Sequence, residues 1–367
     1  MAKLGMPTVV VKFIEAGIEA IQRSQRGIVA LILEDTKQVI DKLATKTNGH
    51  EVLPNPFLVY TVDDIPEELS DKNKDYILKA LKGYNKPPLK VVVYMMQQGG
   101  DKAGADRFQE PLKAMLTERF DYLAIPTIET AQLEYVATWV KTARENKFKK
   151  IKVVLPGSNA DYEGVINFGN TKVVTADREY KAAEYTARIA GLVAGTNMTQ
   201  SATYAPLTEV IDCDRHTQDE MDTMVNEGKF FIWYDGEKFK MSRAMNSLVT
   251  TSQGKLEGYQ TIKIVDIMDM IYDDIRKTAQ DSYIGKYTND YENKCLLISA
   301  ILGYFKQLEN ERLLQKDYST CEIDCEAVRT YQLSHGLFTK EELAKMSDDE
   351  VKKMDTKKIV FLKAKVR

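Results

Sequence analysis

The chain has 367 residues, of which 44% are hydrophobic and 29% are charged; this is an ordinary soluble composition, with enough length for more than one domain. The 51 basic and 54 acidic residues leave a net charge of -3, which excludes a general attraction to nucleic acid or an anionic membrane. No apolar run approaches the roughly 20 residues that span a bilayer, and the start lacks the apolar core of a signal peptide, which predicts a protein made in the cytosol.

The first feature along the chain is a β-branched segment that precedes any packed element and consists of Thr8, Val9, Val10, Val11, Lys12 and Phe13. An exposed strand near a terminus is an edge with which another chain can pair. The segment either docks in its own sheet or adds to a sheet of another subunit through backbone hydrogen bonds.

Strands and helices alternate regularly over the next part of the chain. Strands are predicted at 27–33, 56–60, 89–95, 121–125, 151–155 and 171–175, and helices at 75–84, 105–120, 130–147 and 179–193. Strands separated by helices predict parallel pairing with helices on both faces. The sequence therefore predicts a doubly wound, mostly parallel α/β fold.

The pattern changes in the last third of the chain. A helix is predicted at 218–227, a hairpin at 229–241 with Asp235-Gly236 at its turn, further helices at 264–276, 292–314 and within 339–354, and a last strand at 358–366. The helix at 292–314 is apolar almost all round between Cys295 and Phe305, which predicts central burial.

These patterns predict four segments. They are an extended N-terminal arm at 1–26, a small α/β module at 27–87, a central α/β domain at 88–250, and a helix-rich C-terminal module at 251–367 that supplies the final strand.

The motifs of nucleotide-binding and hydrolytic enzymes are missing. The sequence has no P-loop, no G-x-G-x-x-G that opens a helix, no G-x-S-x-G elbow and no H-E-x-x-H. The glycine-rich stretch 99–104 lies between a predicted strand and a predicted helix, where an anion could bind. Its glycine spacing does not fit a phosphate loop, so we predict an ordinary connection, no catalytic residue and no cofactor.

Two groups of sulfur and imidazole side chains could suggest zinc. Cys213 lies near His216, and Cys321 and Cys325 precede His335. Neither group supplies a complete ligand set at a usual spacing, so we predict no metal site and reduced thiols.

Charged side chains form two notable sets. Asp266, Asp269, Asp273 and Asp274 lie opposite an apolar face that runs from Ile264 to Ile275. Paired carboxylates can do acid–base chemistry, but an amphipathic helix with a solvated acidic side is predicted, with a partner-facing patch as the alternative. A basic run comprises Arg144, Lys147, Lys149, Lys150 and Lys152. It is predicted to be a solvated helix end that could meet such a patch on a neighbouring copy.

Four blocks carry a resemblance to a known family. They are 5–11, 20–33, 187–207, and the predicted hairpin followed by 243–250. Together and in this order, they resemble the contractile tail sheath proteins, in particular the short sheath proteins of defective prophages and phage-tail-like bacteriocins. The resemblance covers nearly the whole chain.

This resemblance implies a structural subunit that stacks in rings around a tail tube and contracts without nucleotide hydrolysis. Terminal arms would pair with sheets of neighbouring subunits, which points to Thr8–Phe13 as an inter-subunit strand. The implied partners are other copies, the tail tube protein and baseplate proteins, with no nucleic acid, membrane or small-molecule substrate. The implied location is a virion tail sheath or phage-tail-like particle, made and assembled in the host cytoplasm.

One departure from the family concerns the end of the chain. Similar proteins continue past the equivalent of Lys365-Val366-Arg367 into a strand arm, so we expect that arm to be missing from this sequence. The rival interpretation is a cytosolic α/β enzyme or nucleotide-binding protein.

Overall fold

A computed structural model of the chain describes residues 20–44, 53–100 and 104–367. The described chain forms two compact units. The large unit is Ser24–Asp273, and the small unit is Asp274–Arg367 with the described residues before Ser24. None of the described helices is long and apolar enough to cross a membrane.

The bounds of the elements are as follows. The strands are β1 (Ile28–Asp35), β2 (Phe57–Val59), β3 (Lys90–Gln97), β4 (Tyr122–Ala124), β5 (Lys152–Pro156), β6 (Val165–Phe168), β7 (Lys172–Thr175), β8 (Glu179–Lys181), β9 (Val210–Cys213), β10 (Lys229–Phe230), β11 (Ile232–Tyr234), β12 (Phe239–Met241), β13 (Thr320–Ile323) and β14 (Leu362–Lys365). The helices are α1 (Lys37–Leu43), α2 (Asp71–Leu81), α3 (Gln109–Met115), α4 (Leu133–Asn146), α5 (Ala182–Ala194), α6 (Gln218–Asn226), α7 (Ile262–Thr278), α8 (Tyr291–Asn310), α9 (Cys325–Ser334), α10 (Lys340–Lys345) and α11 (Asp348–Lys352).

The large unit is built on a mixed, mostly parallel sheet with the strand order β10-β6-β5-β4-β1-β3-β2. All its neighbouring strands are parallel except β2, which runs antiparallel to β3 at one edge. The central strand β1 is almost wholly buried, as expected of a parallel strand covered on both faces. The predicted doubly wound fold is confirmed.

Two apolar cores lie on opposite faces of this sheet. Alternate residues of β1 point to opposite sides, so Val29 and Leu31 pack in one core and Ile28 and Ala30 in the other. The first core takes most of its helical side chains from α2 and α5, and the second from α3 and α4. These helices therefore cover the two faces of the parallel sheet.

Helices α2 and α5 approach each other closely at Gly191. A Cβ atom added at Gly191 would overlap the backbone carbonyl of Ala80 on α2. Glycine at this position therefore lets the two backbones meet without an intervening side chain.

The strand predicted at 171–175 was wrongly assigned to the parallel sheet. It is β7, which pairs antiparallel with β8 and β9 in a separate three-stranded sheet. A tight turn joins β7 to β8, with the Thr175 amide 3.0 Å from the Arg178 carbonyl. Glu179–Lys181, predicted as the start of a helix, instead has the exposed–buried–exposed alternation of a strand.

The predicted hairpin at 229–241 is only partly correct. β11 and β12 pair antiparallel across the Asp235-Gly236 turn, as predicted. The first residues, β10, leave the hairpin and pair parallel with β6 in the main sheet. Likewise, the predicted helix at 105–120 is a 3-10 turn followed by the shorter helix α3.

The small unit packs its longest helix through one face only. The buried apolar residues of α8 are Ala300, Ile301, Tyr304, Phe305 and Leu308. Leu302 is 36% exposed on the other side, so the prediction that this helix is buried centrally is wrong. Among the described residues, the contacts of α8 bury one side of the helix and leave apolar side chains such as Leu302 on the other side exposed.

Candidate inter-subunit interface

The predicted inter-subunit strand, Thr8–Phe13, lies outside the described residues. The other half of such a contact is a sheet edge that can accept a strand. A suitable acceptor is an open strand edge that the rest of its own subunit supports.

The small unit contains a ribbon of two antiparallel strands, β13 and β14. Thr320 pairs with Lys365 at one end of the ribbon, and Ile323 pairs with Leu362 at the other. Among the described residues no third strand joins it, so each strand leaves one edge open. Two strands alone are marginally stable in water, and open edges expose backbone donors and acceptors. The β13–β14 ribbon is therefore a candidate strand acceptor.

A small apolar core holds the inner face of the ribbon. Ile323 packs with Val328 of α9 and Val351 of α11, and all three are buried. Asp324 follows β13 and caps α9 by accepting a hydrogen bond from the Ala327 amide at 3.0 Å. The ribbon is therefore anchored on one face, and its edges are presented by a fixed support.

The outer face of the ribbon is charged. Glu322 lies opposite Lys363, an arrangement that stabilises an antiparallel pair. Lys363 and Lys365 are exposed, and lysines on an edge strand disfavour indiscriminate pairing. The surface thus leaves the backbone edge available while it limits aggregation.

The cysteine and histidine groups considered for zinc do not assemble. Cys213 and Cys321 are buried, and burial raises the pKa of each thiol to about 11, so both stay protonated at neutral pH. His335 stacks on Tyr331, with ring centroids 4.0 Å apart. Across the part of the chain that the structure describes, no three His, Cys, Asp or Glu side chains are grouped to hold a metal ion.

The acidic side of helix α7 is not solvated, contrary to the sequence-based prediction. Asp269 accepts hydrogen bonds from both terminal nitrogens of Arg144 at 2.9 Å and lies 2.6 Å from the Lys152 Nζ. Asp266 accepts a hydrogen bond from the Tyr122 hydroxyl at 2.5 Å and lies 2.8 Å from the same lysine nitrogen. The carboxylates therefore face the start of β4 and β5.

The basic run is divided by the fold, which corrects its predicted role. Arg144 and Lys152 are buried and neutralise α7 within their own subunit, so they are not available to an acidic patch on a neighbour. Arg26 extends the same cluster, with Asp121 at 2.8 Å and Asp273 at 2.7 Å. We call these residues, with Asp266, Asp269 and Tyr122, the α7 ion cluster.

Opposing influences set the pKa values within the α7 ion cluster. Burial would raise the pKa of Asp269, but Lys152 and Arg144 outweigh it and hold that pKa below its ordinary value. For Asp266, burial dominates and the pKa is raised despite Lys152. The carboxyl group of Asp269 therefore ionises more readily within the cluster than that of Asp266.

The apolar side of α7 is only partly as predicted. Val265 and Ile267 are buried, whereas Ile264 is 41% exposed. The helix is thus covered on two sides, by apolar contacts and by the ion cluster. No sequence periodicity distinguishes a solvated acidic face from one that meets buried cations.

Comparison with known proteins identifies the family to which the sequence is similar. Residues 101–247 match the family model for the phage tail sheath protein central domain, and residues 255–345 match that for the phage tail sheath C-terminal domain. The tail sheath protein of Clostridium phage phiCD119 is 33% identical over 357 residues, which cover 96% of this chain and 92% of that protein.

Solved structures share the fold at lower identity. The sheath tail protein from Desulfitobacterium hafniense superposes with a TM-score of 0.69 at 19% identity, covering 86% of this chain and 94% of that one. The helical sheath of the anti-feeding prophage in its contracted state gives 0.65 at 12% identity, covering 98% and 95%. With the sequence matches over nearly the full length, these findings establish that the chain belongs to the phage tail sheath protein family.

Proposed function

We propose that this protein is the structural subunit of a contractile tail sheath, which self-assembles into stacked rings around a tail tube and contracts without nucleotide hydrolysis. The observation that carries the proposal is the match to a tail sheath protein over 96% of the chain. The tail tube protein and baseplate proteins are the further partners we propose, and assembly takes place in the host cytoplasm.

The proposed joint between copies is strand addition. The segment Thr8–Phe13 of one copy adds to an open edge of the β13–β14 ribbon of a neighbour. Two features support this: the segment is β-branched, and the ribbon has two open edges over an anchored inner face. Each added backbone hydrogen bond contributes about 0.5–1.5 kcal/mol, and the joint repeats around every ring.

Deletion of residues 1–13 tests the joint. We expect the deleted protein to keep the cooperative melt of the full chain within a few degrees, because an arm that pairs with a neighbour adds little to its own core. In a version extended by the C-terminal strand arm, we expect the same deletion to abolish the tubes that the undeleted version forms, as judged by negative-stain microscopy and light scattering.

A matched pair of substitutions refines this experiment. Val10→Pro removes one ladder donor, whereas Val10→Ala keeps it, so only the proline variant should impair tube formation. Loss of the folded monomer on deletion of 1–13 would show instead that the segment belongs to its own sheet. The chain without the C-terminal strand arm that similar proteins carry is expected to stay largely monomeric, so absence of tubes from a version extended by that arm would contradict the proposed function itself.

One observation bears on the rival enzyme interpretation. Doubly wound sheets bind ligands beyond the carboxyl ends of strands whose connections leave to opposite faces, which here are β1 and β4. At that position Glu34 pairs with Arg107 and accepts a hydrogen bond from the Thr127 hydroxyl at 2.5 Å. Glu34 is therefore neutralised and hydrogen-bonded within the subunit at this position, which supports a structural role.

A further inference from the structure

A cleft of about 450 Å³ lies in the large unit between helix α4 and the loop that follows β5. The helix lines it with Thr138 and Lys141, and the loop lines it with residues 157–160. The loop leaves the carboxyl end of β5, which is the edge of the sheet at which doubly wound folds place their ligands. The cleft therefore has the size and the position of a small-ligand site.

Three successive backbone amides of this loop have no hydrogen-bond acceptor within the described chain. They belong to Ser158, Asn159 and Ala160. The loop begins at Gly157, which has a left-handed φ of 60° and whose own amide donates to the Phe168 carbonyl at 3.0 Å. Successive amides that lack an acceptor can together bind an anion.

The side chain of Ser158 is a second, independent indication of a ligand. Ser158 is only 6% exposed, and no described residue forms a hydrogen bond with its hydroxyl. A buried polar group without a partner lowers stability, so proteins seldom keep one without a reason. Because Ser158 lines the cleft, a ligand bound there could supply the missing partner.

Asn167 supports the loop from beneath. It lies on β6, is fully buried, and its Oδ1 has no hydrogen-bond partner in the part of the chain that the structure describes. A strand buried in a parallel sheet normally carries an apolar residue at such a position. The Asn167 Nδ2 lies 3.5 Å from the Asn159 Oδ1, so this buried amide orients a residue of the cleft.

The charges around the cleft favour an anion. The Lys141 Nζ lies 5.8 Å from the centre of the Tyr162 ring, and Lys141 forms no ion pair with another described residue. Glu134 is the carboxylate that lines the cleft, and it is exposed. Asp161, the next residue of the loop, already accepts hydrogen bonds from two backbone amides at 2.7 and 2.9 Å. Unpaired donors therefore outnumber unpaired acceptors.

We propose that this cleft binds a small oxyanion, either a phosphate or a carboxylate group. The amides of residues 158–160, the Ser158 hydroxyl and the Lys141 ammonium would hold it, and we call these groups the β5 loop site. A single exposed cation gives an affinity in the millimolar range. At millimolar anion, the rise in thermal midpoint would then stay within about one degree. The site belongs to the large unit, and the proposal does not depend on the sheath function.

Titration of the full chain with inorganic phosphate tests the site. We expect saturable changes in the amide chemical shifts of Ser158, Asn159 and Ala160, and no such changes with chloride at matched ionic strength. A parallel titration with acetate separates the two groups, since saturation by one anion alone would identify the group that the site takes. Shifts that stay linear with both anions, or that spread evenly over the surface, would overturn the proposal.

Ser158→Ala separates binding from stability. We expect the thermal midpoint without added anion to stay the same or rise slightly, because alanine removes a buried hydroxyl that has no partner. We expect the affinity for the anion that saturates the site to fall by about tenfold, measured by the amide shifts of Asn159 and Ala160, because hydrogen bonds to charged groups are the strong ones. A lower thermal midpoint with unchanged affinity would assign the hydroxyl to the fold and overturn the proposal.

Charge substitutions at the cleft give changes of opposite sign. Lys141→Gln should weaken binding of that anion by roughly threefold, and Glu134→Gln should strengthen it by a similar factor. Lys113→Gln is the matched control, because Lys113 is an exposed lysine of α3 that does not line the cleft, and its affinity should not change. Equal effects of Lys141→Gln and Lys113→Gln would show that only the overall charge matters and would overturn the β5 loop site.

Discussion

Asp269 pairs with two buried cations, Arg144 and Lys152. The side chains of Asp269, Arg144 and Lys152 are 4%, 5% and 1% exposed. A buried ion pair adds little net stability compared with apolar groups, but removal of one partner leaves an uncompensated charge. The effect of substitution at this cluster should therefore depend on which carboxylate is changed.

We expect Asp269→Asn to lower the free energy of unfolding by about 3–5 kcal/mol, because Arg144 loses its carboxylate partner in a buried site. Asp266→Asn is the matched control. Its carboxylate is already costly to ionise, and Lys152 keeps Asp269, so we expect a loss of about 1 kcal/mol. Urea unfolding at neutral pH measures both; equal losses would contradict the unequal roles assigned to the two residues.

The sequence could not predict this cluster at the residue scale. Arg144 and Asp269 are separated by 125 positions, and each belongs to a charged run that local periodicity assigns to solvent. Spacing along one helix predicts which residues share a side of that helix. It does not predict whether that side contacts solvent or buried side chains of another element.

At the scale of elements, the close approach of α2 and α5 at Gly191 gives the clearest prediction. Any side chain at 191 would overlap the α2 backbone at Ala80. α8 provides a contrast, because nothing lies within 4 Å of a Cβ atom added at Gly303, which is exposed.

We expect Gly191→Ala to destabilise the protein by about 1–3 kcal/mol, since the two helices must separate to admit a methyl group. Gly303→Ala should stabilise it by about 0.5–1 kcal/mol through helix propensity. Thermal and urea unfolding of both variants provide the measurement. A stabilising Gly191→Ala would contradict the packing described for these helices.

Most elements of the main sheet follow from the alternation of apolar strands and amphipathic helices, and those predictions are confirmed. β8 was not predicted because a short strand before a helix has no signal that separates it from the first helical turn. β7 was predicted as a strand but assigned to the wrong sheet, because its antiparallel partners β8 and β9 were not predicted. The pairing of β10 with β6 was not predicted. It involves only two residues of β10, and pairing with a distant strand produces no pattern in the local sequence.

For the whole molecule, family membership and fold are established, whereas the segment boundaries predicted at residues 26, 87 and 250 remain predictions. The strand Thr8–Phe13 also remains a prediction. The acceptor proposed for it was not visible in the sequence, because β13 and β14 lie apart along the chain and meet only in the fold.

The structural role leads to a prediction for small ligands. We expect neither ATP nor NAD at millimolar concentration to raise the thermal midpoint by more than about one degree, because a ligand stabilises a protein only in proportion to its binding. The physical reason is that Glu34, at the carboxyl ends of β1 and β4, already has Arg107 and Thr127 as partners within the subunit. A saturable rise of several degrees in the thermal midpoint would support the enzyme interpretation instead.

The α7 ion cluster has a consequence for ionic strength. Dissolved salt screens charges that water can reach and has little effect on charges that it cannot. Glu322 and Lys363 of the β13–β14 ribbon lie at the surface, whereas Asp269, Arg144 and Lys152 are almost fully enclosed. Concentrated salt should therefore weaken the attraction between Glu322 and Lys363 while the ion pairs that hold α7 stay nearly unchanged, so that the large unit should stay folded at salt concentrations that screen its surface charges.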